Sequence, residues 1–137
     1  MNNQNTCKTT QTIAILQYNL NKNRSTTYSV LNDPISSKYA ILLLQEQYFS
    51  KYTNSSLTHR SWELFESKSM ENNPPRAAIY LNKTILSAHS YETIAMEIPD
   101  TVAIAVRLNQ EQHPTLILNI YNTKTSTQLK DLRTHLR

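Results

Sequence analysis

Apolar residues fall into short runs separated by polar, turn-forming stretches, and the spacing inside each run indicates its secondary structure. Residues 12–18 form one run, closed by Asn19, and residues 39–44 form another, closed by Gln45 and Glu46. Both have the length and continuity of strands buried on two faces. Between them, residues 25–32 suit a short helix with Tyr28 and Leu31 on one side, ended by Asp33 and Pro34. Residues 62–66 and 77–81 read as two further strands joined across Pro74-Pro75. Val102, Ile104, Val106 and Leu108 alternate with smaller or polar residues, the pattern of a half-buried strand suited to hairpin pairing. Residues 116–121 form the next apolar strand. Leu129, Leu132 and Leu136 then recur at helical spacing, with Lys130, Arg133 and Arg137 on other faces.

Strand, helix, strand, then more strands and a helix is the order of a layered α/β structure. Residues 1–11 are polar and aperiodic and are expected to be a mobile tail, leaving residues 12–137 as the folded portion. No internal repeat interrupts this order. No apolar run approaches the ~20 residues of a spanning helix, and no apolar segment follows the polar start. The expectation is an intracellular, unsecreted chain with no membrane partner.

Composition changes this picture in three places. The chain contains no glycine, where average usage predicts about ten. Its turns must therefore come from Asn, Asp and Pro, as in Asn32-Asp33-Pro34 and Asn72-Asn73-Pro74-Pro75. A glycine-dependent phosphate loop is excluded. Cys7 is the sole cysteine, so no intramolecular disulfide can form and nothing suggests a thiolate metal site. A formal charge of +4 favours polyanionic partners without choosing among them.

Three apolar strands end in polar groups: Tyr18-Asn19, Gln45-Glu46 and Asn119 through Asn122. Strand ends are where α/β folds gather their sites. Glu46 follows four aliphatic residues, so its carboxylate should emerge, partly desolvated, at the rim of a sheet. A charge in that position needs a cation or a basic group beside it. Taken singly, Glu46 could equally be a rim residue paired to Lys or Arg, Asn19 a turn residue and Tyr121 a core-edge residue. Taken together, a carboxylate, an amide and a phenol suit a magnesium site completed by waters and a substrate phosphate.

Leu16-Gln17-Tyr18-Asn19-Leu20-Asn21 resembles the opening strand of the endonuclease/exonuclease/phosphatase superfamily, and Ile41 through Glu46 resembles its second signature, a strand ending in Gln-Glu. Arg76-Ala77-Ala78-Ile79-Tyr80 and Leu118-Asn119-Ile120-Tyr121-Asn122 are similar to its later strands. The Leu-Leu-Gln-Glu-Gln-Tyr and Pro-Pro-Arg-Ala-Ala-Ile-Tyr stretches resemble the endonuclease domains of non-LTR retrotransposons.

The resemblance implies a four-layer α/β sandwich of the deoxyribonuclease I-like type, present in its amino-terminal part only. It assigns Glu46 to a Mg2+ or Mn2+ ion, Asn19 to the hydrogen-bond network beside the metal, and Tyr121 to a phosphate oxygen, with Asn122 an adjacent candidate. It implies DNA as partner, a nuclear location, and a reverse transcriptase domain in the full-length relative. The family's Asp-x-Asn pair, second metal-side Asp and terminal Asp-His pair have no match in the chain, so inactivity in isolation is expected. His59, His89, His113 and His135 do not replace them, nor do Asp100, which precedes a strand, and Asp131. Two other functions fit the same residues. One is a non-catalytic nucleic-acid-binding module using Tyr48, Phe49, Tyr52 and Trp62, and the other is a phosphoesterase of the same superfamily.

Overall fold

The computed structural model describes residues 12–68, 73–108 and 113–122. The tail at residues 1–11 and the helix expected around Leu129 to Leu136 lie outside the described residues. Among the described residues, nine strands and one α-helix run in the order β1 (Ile15–Asn19), α1 (Arg24–Asn32), β2 (Ile41–Gln45), β3 (Phe49–Ser50), β4 (Ser55–Ser56), β5 (Trp62–Glu66), β6 (Ala77–Asn82), β7 (Tyr91–Ile94), β8 (Thr101–Val106) and β9 (Thr115–Ile120). Short 3-10 turns at Ser36–Lys38 and Ala88–Ser90 join them.

The larger sheet has strand order β1-β2-β6-β5, the smaller β7-β8-β9, and β3 pairs with β4 in a hairpin. Among the described strands, only β1 and β2 are parallel. A parallel pair needs a crossover, which α1 supplies. Asn23 caps its start by accepting from the Thr26 N–H at 2.9 Å, and the Asp33 N–H closes its end on Ser29 O. The buried positions on α1 are Thr27 and Leu31, one helical repeat apart, whereas Tyr28 is exposed. The expected Tyr28–Leu31 stripe is thus displaced by one residue.

The core lies in three layers. Ile41, Ala77, Ile79 and Leu81 face Val102, Ile104, Val106 and Ile117 between the two sheets. On the opposite face of the large sheet, Leu42, Leu44, Ala78 and Tyr80 pack against Leu20, Leu31 and Trp62. Outside the small sheet, Ala103 is covered by Met96 and Ile98. Each large aliphatic side chain so removed from water contributes ~1.5–3 kcal/mol before entropy is counted. Phe65 and Tyr91 meet edge to face across the sheets, with ring centroids 5.7 Å apart.

Two strands differ from their expected burial. β1 is mostly exposed because, among the described residues, it forms the edge of its sheet and pairs only with β2. β8 is buried on both faces, and on the outer one Ala103 packs against Met96 and Ile98 instead of facing solvent.

Candidate active site

The topology brings the chemistry to one rim. β1 and β2 run parallel, so Asn19 and Gln45 arrive side by side in register. β6 runs against β2, which places Arg76, just before β6, beside Glu46, just after β2; the Glu46 N–H donates to Arg76 O at 2.9 Å. In the small sheet Thr101 pairs with Ile120, so Asp100 and Tyr121 meet in the same way, the Tyr121 N–H donating to Asp100 O at 2.9 Å.

Asn119 joins the sheets. Its buried carboxamide donates to Leu44 O at 2.9 Å and Ala78 O at 2.8 Å, on adjacent strands of the large sheet. Gln45 reaches back, its Nε2 donating to Ile120 O at 2.6 Å and to Asn119 Oδ1 at 3.3 Å. These bonds fix the end of β9 over the end of β2.

Glu46 sits at the centre of the rim, half-buried, with φ of 50°. A residue with a Cβ is disfavoured there by ~1–2 kcal/mol, and such strain persists only where surroundings enforce it. Its N–H is held by Arg76 O, and its carbonyl accepts from the Lys22 N–H at 2.7 Å. The Tyr121 hydroxyl donates to Glu46 Oε1 at 2.5 Å, within the range of charge-assisted bonds. Glu46 Oε2 takes no hydrogen bond from the described residues. That bond pushes the Tyr121 phenol above its ordinary pKa, with burial adding to it.

Arg76 forms two bonds to Asp100, Nε to Oδ1 at 3.1 Å and Nη2 to Oδ2. Its guanidinium carbon also lies 4.8 Å from the centroid of the Tyr121 ring. The Asp100 bond raises the Arg76 pKa further above its ordinary value.

Of the residues expected at the site, the structure joins Glu46 and Tyr121 directly and brings Asn19 to the same rim. The Asn19 Oδ1 accepts from the Asn21 N–H at 2.9 Å, within the turn leaving β1. Asn122 follows Tyr121 and is exposed. Asp100, set aside because it precedes a strand, is buried at the rim. It and Arg76 escape a search of strand ends because antiparallel neighbours begin where β2 and β9 finish.

His59 lies at the far pole. Its Nε2 is 3.1 Å from Asn32 Oδ1, its Nδ1 accepts from the Ser61 N–H, and it lines a cavity of about 190 Å3 with Asp33, Trp62 and Asn82. His89 and His113 are exposed, and His135 and Asp131 lie outside the described residues.

Among the described residues no group of three or more His, Cys, Asp or Glu could enclose a metal, and no helix is long and apolar enough to cross a membrane. The donors at the rim are hard oxygens. They match an ion held by one or two carboxylates plus water and substrate phosphate, and do not match a His/Cys zinc cage.

The class defined by this arrangement is a mixed α/β sandwich with a polar rim at one end of both sheets. No protein-family model and no curated protein matches the chain. Among solved structures it is similar to the endonuclease domain of TRAS1, a telomere-specific non-LTR retrotransposon, with a TM-score of 0.61 and 19% identity. The match covers 90% of this chain and 53% of that one, so the chain spans about half of the structure it resembles. The likeness shows the endonuclease-type fold.

Proposed function

We propose that the chain is the amino-terminal portion of a Mg2+- or Mn2+-dependent DNA endonuclease domain of the retrotransposon type. The observation that supports this reading best is the Tyr121–Glu46 bond at the junction of the two sheets. It places a carboxylate with one uncommitted oxygen beside a phenol that has a proton to donate. Glu46 would hold the cation, Asn19 would orient the rim turn next to it, and Tyr121 would redirect its proton from Glu46 to a phosphate oxygen. Asn122 is a further candidate on the substrate side. A divalent cation bound there supplies charge neutralisation at the phosphodiester and the departing oxygen.

Water activation needs a base and an orienting partner, and the family residues that provide them have no match in this chain. Catalytic groups that act as a unit lose most of the rate when one is missing. The chain by itself is therefore proposed not to nick DNA. The same reading places it in the nucleus, next to a reverse transcriptase domain in its full-length relative.

A plasmid-nicking assay in Mg2+, run with Mn2+ binding followed by water proton relaxation, tests these points. The expected result is no nicking, with Mn2+ binding that Glu46→Gln abolishes. Nicking removed by Glu46→Gln would overturn the inactivity. Nicking or Mn2+ binding indifferent to that change would overturn the site.

A second reading, a nucleic-acid-binding module without catalysis, is favoured by a basic and aromatic flank. Tyr52 is 99% exposed, and Arg24 lies over the Tyr48 ring at 5.9 Å. Trp62 does not belong to this flank, because it is buried and its Nε1 donates to Leu31 O. Salt-sensitive DNA binding that needs no Mg2+, survives Glu46→Gln and weakens in Tyr52→Ala would select this reading.

A further inference from the structure

Glu46, Arg76, Asp100 and Tyr121 form a closed ring of contacts. The Glu46 N–H is held by Arg76 O, the Arg76 guanidinium is held by the Asp100 carboxylate, the Tyr121 N–H is held by Asp100 O, and the Tyr121 hydroxyl returns to Glu46. Arg76 thus touches both ends of the Tyr121–Glu46 bond, one through its backbone and the other through its side chain over the ring. Asp100 likewise acts on Tyr121 twice, directly through its carbonyl and indirectly through Arg76. We propose that Arg76 and Asp100 are positioning residues that fix the Tyr121 phenol against Glu46.

The proposal rests on the reading of Glu46 and Tyr121 as site residues. Its physical basis is the freedom a tyrosine has at a rim. Tyr121 is half-buried, at the end of a strand. Without a lateral support, its ring would swing to solvent and the bond would be made only part of the time. A guanidinium lying over the ring removes that freedom only if it is itself fixed, and a two-point bond to a carboxylate fixes it as a single ammonium contact cannot. Asp100 can serve because its backbone, with φ of 54°, turns sharply into β8 and presents its carbonyl to Tyr121 and its carboxylate to Arg76. Orientation set before a substrate arrives lowers the entropic part of a barrier.

A structural role alone would make the Arg76–Asp100 pair a charge neutraliser for a buried carboxylate, with no effect on Tyr121. The two roles separate in the metal-free chain labelled with 13C at the tyrosine ζ carbons, whose chemical shift at neutral pH reports the bonding of each hydroxyl. Tyr121→Phe identifies the signal. Glu46→Asn supplies the unbonded reference, since Asn tolerates the left-handed backbone and its side chain is a methylene shorter. Asp100→Asn and Arg76→Lys are expected to move the Tyr121 signal toward that reference while the Tyr80 signal stays in place, its hydroxyl bonded to Leu57 O at 2.7 Å.

A Tyr121 signal unmoved in Arg76→Lys and Asp100→Asn would overturn the proposal, as would one unmoved in Glu46→Asn. Unfolding of both variants beside a folded Tyr121→Phe would assign the pair to packing and overturn it as well. Loss of Mn2+ binding by the unmodified chain would remove the metal reading while leaving this measurement intact, so the two failures are distinct.

Discussion

The Asn119 carboxamide donates to carbonyls on β2 and β6 from a strand of the other sheet. Truncation removes two buried hydrogen bonds at once, so Asn119→Ala should lower stability by about 2 kcal/mol, read as the midpoint of urea unfolding. Asn119→Asp should cost more, because a carboxylate would face two carbonyl oxygens with nothing to donate. Tyrosines set the alkaline limit. Burial, and then the charge of Glu66, push the Tyr80 phenol far above its ordinary value of 10.0, and the Glu46 bond pushes Tyr121 up from the same value. A raised folded-state pKa means that the folded chain holds the proton more tightly than the unfolded one. Stability from these groups is therefore complete below pH 10 and is lost as pH rises through the folded values. Urea midpoints should stay level up to about pH 10 and then fall, with a smaller fall in Tyr80→Phe.

At the scale of elements, the edge position of β1 governs its dynamics. Ile15 and Tyr18 are 43% and 49% exposed, and among the described residues one side of the strand has no neighbour. Amides of β1 that point away from β2 should exchange with solvent quickly, and those of β6, buried at all six positions between β2 and β5, should exchange slowest. Comparable rates in the two strands would contradict the sheet order. Local pattern indicated α1, β2, β5, β6, β8 and β9 because each is a continuous apolar run or has a clear stop signal. It did not indicate that β1 lies at an edge, since an edge strand and a buried one can share the run Ile15, Leu16, Tyr18, and only the fold decides what covers them. β7, with two exposed central residues, and the two-residue β3 and β4 leave no periodic trace. For the site, the strand-end rule reached Glu46 and Tyr121. Arg76 and Asp100 needed the direction of the neighbouring strands, which no local window contains.

Across the whole molecule, β6 is the wall shared by two cores. Ala77 faces the layer between the sheets, and Ala78 faces the layer that holds Leu31 and Trp62. Both are fully buried. Ala77→Val and Ala78→Val should therefore each destabilise by ~1–3 kcal/mol through overpacking, on opposite sides of one strand. Tolerance at either position in thermal unfolding would show that its layer is loosely filled. The same two alanines flank the site indirectly, since Ala77 follows Arg76 and Ala78 O accepts from Asn119. Swelling either layer should loosen the rim before it unfolds the chain.

The left-handed backbone at Glu46 also bears on how relatives of this sequence diverge. Glycine at position 46 would relieve that backbone at the cost of the carboxylate and its bond to Tyr121, and Asn would relieve part of it. A relative still selected to fold, but not to use the carboxylate, would therefore move toward Gly or Asn there sooner than at Gln45, whose extended backbone offers no such gain. Glutamate that persists across diverged relatives would record use of its carboxylate.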